Sequence, residues 1–104
     1  MLLNLQKRYF LLKILPKTGS LDGQLRCKEL SDRITNLSDE YKSKIEFDEI
    51  GEGQFKYNTL KDELTEFELS DSEKHVLKRG VEILDKEENI TFELLDVCKE
   101  IRDL

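Results

Sequence analysis

The spacing of apolar residues changes period twice along this chain, and nothing else in the sequence restricts the fold as much. Apolar residues recur at helical intervals up to Leu37, alternate with polar ones from Ile45 to Tyr57, and return to helical intervals from Val76 onward. Helical and alternating blocks that do not interleave point to an α+β domain, not to a parallel sheet wound with helices. At 104 residues the chain has room for one domain, residues 1–104, and not for two.

Within the first block, Asn4 can cap a helix that runs to about Leu15, with Leu5, Tyr9 and Leu12 on one stripe widened by Leu11, Ile14 and Leu15. Pro16 stops it, because the residue before a proline is pushed out of the helical region. After the turn Lys17-Thr18-Gly19-Ser20, a second helix is predicted from Leu21 or Asp22 to Asn36, its inward stripe carrying Leu25, Leu30, Ile34 and Leu37. Ser38 then caps a short helical turn over Asp39–Ser43, whose early carboxylates suit the positive end of a helix.

The alternating block reads as a β-hairpin: Ile45 and Phe47 on one strand, Gly51-Glu52-Gly53 at the turn, Phe55 and Tyr57 on the other. Phe67 and Leu69 suggest a third strand, although Leu60, Leu64 and Phe67 also fall at helical spacing. Ser70-Asp71-Ser72-Glu73 is a capping box that opens a helix bearing Val76, Leu77, Gly80, Val81 and Leu84 on one face. A glycine inside a helix costs about 1 kcal/mol relative to alanine, so Gly80 points to a close helix contact. Asn89 or Thr91 caps a last helix with Leu94, Leu95, Cys98 and Ile101 inward, which makes a C-terminal helical hairpin.

Charge is divided unevenly. Residues 1–34 hold seven basic and three acidic residues, a balance of +4, while residues 35–104 hold ten basic and twenty acidic, a balance of −10. The start, Met1-Leu2-Leu3-Asn4, lacks the basic segment of a secretory signal, and no apolar run approaches the roughly 18 residues of a membrane span. A cytoplasmic protein without membrane attachment is expected, with Cys27 and Cys98 as small buried hydrophobes.

Reactive constellations are sparse. The only histidine, His75, stands among Asp71, Glu73 and Lys74 in the first turns of a helix, the ordinary setting of a solvated side chain. Neither cysteine has the local signature of a catalytic nucleophile, and no serine elbow is present. One histidine and two distant cysteines do not make a zinc site, and no acidic segment has calcium-loop spacing. Gly51-x-Gly53 lies between two strands and lacks the lysine of a phosphate cradle. The expectation is a non-enzyme with no catalytic residue, no metal and no cofactor. An acid/base enzyme that pairs two of the many carboxylates in space is the third reading.

Two or three helices followed by a hairpin is also the order of a winged helix, and a winged-helix-like nucleic-acid-binding regulator is the alternative function. The charges oppose it. A reader of nucleic acid neutralises phosphates with lysine and arginine, whereas here the recognition turn carries Asp39 and Glu40 and the hairpin carries Glu46, Asp48, Glu49 and Glu52. The favoured expectation is a protein-binding module whose partner surface includes Lys13, Arg26 and Arg33 on the basic helices and Glu46, Asp48 and Glu49 on the acidic hairpin. Such an acidic array either imitates the phosphates of nucleic acid or only solubilises the chain. The same polarity permits a homo-oligomer in which basic helices of one copy face the acidic hairpin of another.

A helix that carries Arg8 and Tyr9 ends in Leu15-Pro16-x-x-Gly19. Leu30-x-x-x-Ile34 follows, then Leu37-Ser38-Asp39-Glu40, a short hairpin, and a helix closing in Leu84-Asp85-x-Glu87-x-x-Ile90-Thr91. This arrangement resembles that of small uncharacterised proteins of bacteriophages and prophages. The resemblance implies an accessory role in the host cytoplasm, such as binding a host protein, inhibiting a defence protein or assisting assembly. It implies no active-site residue.

Overall fold

A computed structural model describes residues 1–104 as five α-helices and two small antiparallel sheets. The α+β class and the C-terminal pair of packed helices expected from the sequence are both present. In chain order the elements are β1 (Leu2–Leu3), α1 (Leu5–Ile14), α2 (Leu21–Thr35), α3 (Asp39–Lys44), β2 (Asp48–Gly51), β3 (Gln54–Lys56), β4 (Thr65–Glu66), α4 (Asp71–Lys86) and α5 (Leu95–Arg102). Single 3-10 turns stand at Thr59–Lys61 and Phe92–Leu94.

Side-chain oxygens start the first four helices. Asn4, Ser20, Ser38 and Ser70 accept from the amides of Lys7, Gly23, Tyr41 and Glu73, each satisfying a donor that the helix itself cannot. At Ser70 the capping box is complete, because Glu73 reaches back to the Ser70 amide at 2.9 Å.

α1 lies at the centre and packs against α2, α4 and α5. Its apolar residues therefore spread around the helix: Leu5, Leu11 and Ile14 are buried, while Tyr9 stays 39% exposed. Gly80 of α4 meets the end of α1. A Cβ built there would fall 2.1 Å from the Ile14 carbonyl oxygen, so only glycine lets the two helices approach this closely. The main core gathers 15 buried residues from Leu3 to Ile101, and Leu11, Leu77 and Ile101 are wholly enclosed. Leu25 and Leu95, expected inward, are 50% and 42% exposed, because each lies at the margin of its helix's buried stripe.

Two expectations about the sheet are corrected. Ile45 and Phe47 do not begin a strand. Ile45 ends α3, Glu46 turns into the left-handed region at φ 57°, and the Phe47 amide reaches back to the Lys42 carbonyl at 2.9 Å. That hydrogen bond closes the helix, and the hairpin begins only at Asp48. The third strand is real but sits at Thr65–Glu66 and does not join the hairpin. It pairs with β1, Leu2 opposite Glu66 and Leu3 opposite Thr65, and the Phe67 amide extends the contact to the Met1 carbonyl at 2.8 Å. The hairpin pairs Asp48 with Lys56 and Glu49 with Phe55, then slips register at Ile50 so that Gly51 faces Gln54. A row of rings attaches it to α1, with Tyr9 stacked on Phe55 at 5.4 Å and Phe55 on Phe47 at 5.0 Å. No helix is long and apolar enough to cross a membrane.

Two substitutions test these contacts. Gly80→Ala gains about 1 kcal/mol of helix propensity but forces a methyl into the Ile14 backbone, so chemical denaturation should show a net loss of about 2 kcal/mol or more. Glu88 occupies the left-handed position after α4, at φ 56°, with the Asn89 amide bonded to the Leu84 carbonyl. There Glu88→Gly should stabilise the protein by about 0.5–1 kcal/mol, since the strain on an L side chain is removed.

Candidate functional site

The six residues predicted to meet a partner fall into two groups, and the structure gives them different work. Arg33 on α2 stacks its guanidinium 4.7 Å above the Phe67 ring, donates to the Glu68 carbonyl at 3.0 Å and pairs with Glu73. It joins α2 to the start of α4. Lys13, in the last turn of α1, is 3.6 Å from Glu93 and lies over the Phe10 ring. Arg26 on α2 has no ion pair or hydrogen bond, and it borders a cleft of about 250 Å³ together with Arg33.

On the acidic side, Glu46 is occupied by Lys61 and Asn58, and the Lys61 ammonium holds its carboxyl below the usual range. Asp48 faces Lys56 across the hairpin at 3.9 Å. Glu49 makes no ion pair and borders a shallow cavity of about 130 Å³ whose walls include Tyr9, Lys42 and Phe47. Arg26 and Glu49 are thus the two members of the set whose charge is not engaged within the chain. They lie on different elements, α2 and β2.

Sequence reasoning did not find the polar centre of the N-terminal half. Asp62 accepts the Leu5 amide at 2.8 Å and the Tyr41 hydroxyl, which ties α1 and α3 to the segment before β4. Beside it, the Arg8 guanidinium lies between the Tyr41 ring, at 5.7 Å, and the Phe67 ring, at 5.2 Å. Arg8 donates to the Ile34 carbonyl at 2.7 Å, and its Nε is buried without a partner. Burial, and then the hydrogen bond to Asp62, drive the Tyr41 hydroxyl far above its ordinary pKa. Burial outweighs the neighbouring negative charge at Arg8 and lowers its pKa. No local signal marks Asp62, because its partner amide is 57 residues away.

The thiols of Cys27 and Cys98 are unpaired and buried, and burial pushes both upward, which disfavours the nucleophilic thiolate. His75 is exposed on α4. No three His, Cys, Asp or Glu side chains converge as metal ligands would.

Glu73 provides a pH test of the α2–α4 junction. Burial alone would raise its carboxyl, but the Ser70 amide and the Arg33 guanidinium outweigh burial and hold it below the usual range. A depressed carboxylate contributes stability that is present above the unfolded value of about 4.3 and is lost as pH falls through the folded value. Unfolding midpoints should therefore drop as the medium is acidified below about pH 4.5, and Glu73→Gln should flatten that dependence while lowering stability at neutral pH.

Comparison with protein-family models, with curated proteins and with solved structures found no match to this chain.

Proposed function

We propose that the protein is a non-catalytic protein-binding module that meets its partner through the hairpin. The observation that supports this most is the state of β2. All four of its residues are exposed, and the register slips at Ile50, whose side chain is 57% exposed. A bulge re-aims a side chain, and here an aliphatic group is left exposed on a segment that also carries Asp48, Glu49 and Glu52. The stacked rings of Tyr9, Phe55 and Phe47 brace the hairpin against α1, so the surface is held in place before binding.

An exposed apolar anchor on an acidic segment fits a basic protein surface with a small apolar recess. In the setting that the phage-like sequence pattern implies, this is an accessory factor or an inhibitor acting on a host or defence protein. The buried thiols favour binding over catalysis, because burial disfavours the nucleophilic thiolate.

The test is affinity capture from a bacterial lysate with the wild type and with Ile50→Asp and Glu49→Lys. A common partner should be retained by the wild type at low salt. Each variant should lose about tenfold or more in affinity for it, since removal of one well-placed anchor or charge costs about 1.4 kcal/mol. Retention of the same partner with unchanged affinity by both variants would refute the hairpin surface. A salt-sensitive, submicromolar gel shift with nucleic acid would favour a winged-helix regulator instead.

A further inference from the structure

The fold brings the two arginines that have no partner into one place. Arg8 and Arg33 are engaged as described, and Arg102 lies 3.6 Å from Asp103. Arg26 and Arg79 make no ion pair or hydrogen bond, and both line a single cavity of about 410 Å³ between the α1–α2 turn and α4. His75 lines the same cavity, one turn before Arg79 on the same helix face. In a chain of net charge −6, free arginines would be expected to find carboxylates, yet the only acidic residue in this lining is Asp22.

The turn side of the cavity carries polar groups. Thr18 and Ser20 contribute hydroxyls, and the turn is held by Gln24, which donates to the Pro16 carbonyl at 3.3 Å. The start of α2 adds little attraction of its own, because the Gly23 amide is already given to Ser20 Oγ. Burial raises the Cys27 thiol, and the positive charge of Lys17 and Arg79 acts in the opposite direction.

We propose that this cavity, lined by Arg26, His75 and Arg79, is a binding site for a phosphate dianion, either free or as the head of a small polar ester. Two guanidinium forks and an imidazole N–H present more donors than the two oxygens of a carboxylate can accept. A tetrahedral dianion offers acceptor oxygens in several directions, and the two arginines outnumber Asp22, the one carboxylate in the lining. The volume exceeds that of phosphate alone, which leaves room for the remainder of an ester. This site is separate from the hairpin and does not depend on the partner proposed above.

The test is a protein-detected NMR titration of the full chain with inorganic phosphate, ribose 5-phosphate and acetate at matched ionic strength. The proposal expects saturable shifts at the amides of Gly19, Ser20 and Gly23 and at the His75 ring for both phosphate probes. Arg26→Gln and Arg79→Gln should each weaken binding about tenfold, as expected for loss of a charge-assisted pair, with the rest of the spectrum preserved. Lys99→Gln, on an exposed site of α5 with the same change in net charge, should bind as the wild type does. Tighter binding of ribose 5-phosphate than of phosphate would identify esters as the source, and the reverse order would identify the free ion. Shifts that do not saturate, that acetate reproduces equally, or that Lys99→Gln weakens as much as the arginine variants do would overturn the proposal.

Discussion

The missing side chain at position 80 sets the geometry on which the other helices depend. α1 and α4 each pack against α2, α5 and one another, and the C-terminal carbonyl of α1 at Ile14 sits where a methyl group on α4 would be. Ile14, Leu77 and Val81, on either side of this approach, are all buried in the same core. Interior side chains pack as solids do, so a shift of α4 by the width of a methyl would propagate to α5 and to the α2–α4 cleft. The positions of Arg26, His75 and Arg79 relative to one another follow from this one approach.

Around that core, charge is used more for fastening than the division of the sequence suggests. Arg33 is locked between Phe67, Glu68 and Glu73, and Lys7 of the basic half meets Glu100 of the acidic half at 2.9 Å. Such partly exposed pairs each contribute little to stability, but they fix which helix faces meet. Arg8 contributes differently: it is enclosed by two rings and a carbonyl, so its removal would leave Asp62 and the Tyr41 hydroxyl without the nearby positive charge that balances them.

What the sequence made legible was local. The caps at Asn4, Ser38 and Ser70, the stop at Pro16 and the significance of Gly80 all depend on residues within a turn or two of one another, and each appears in the structure. The pairing of β1 with β4 was not legible, since two-residue strands carry no period. The Asp62 cap on α1 was hidden by its distance along the chain. The left-handed turn at Glu46 was missed because glutamate gives none of the signal that glycine would have given, and this shortened the predicted hairpin. Of the surface residues, charge type was readable but engagement was not. Nothing in the order of residues tells that Arg33 and Glu46 are occupied while Arg26 and Glu49 are free.

The pairing of Leu2–Leu3 with Thr65–Glu66 closes everything between them into a ring that contains α1, α2, α3 and the hairpin. Closing so long a loop has an entropic cost that a four-residue ladder cannot offset alone, so the ring should shut only after the helices have collapsed on one another. Asp62 lies three residues before that ladder and holds the first amide of α1. Opening of the ladder would therefore uncap the central helix in the same event. The amides of the first strand and of the first turn of α1 should exchange with solvent as one cooperative unit, although they belong to different elements.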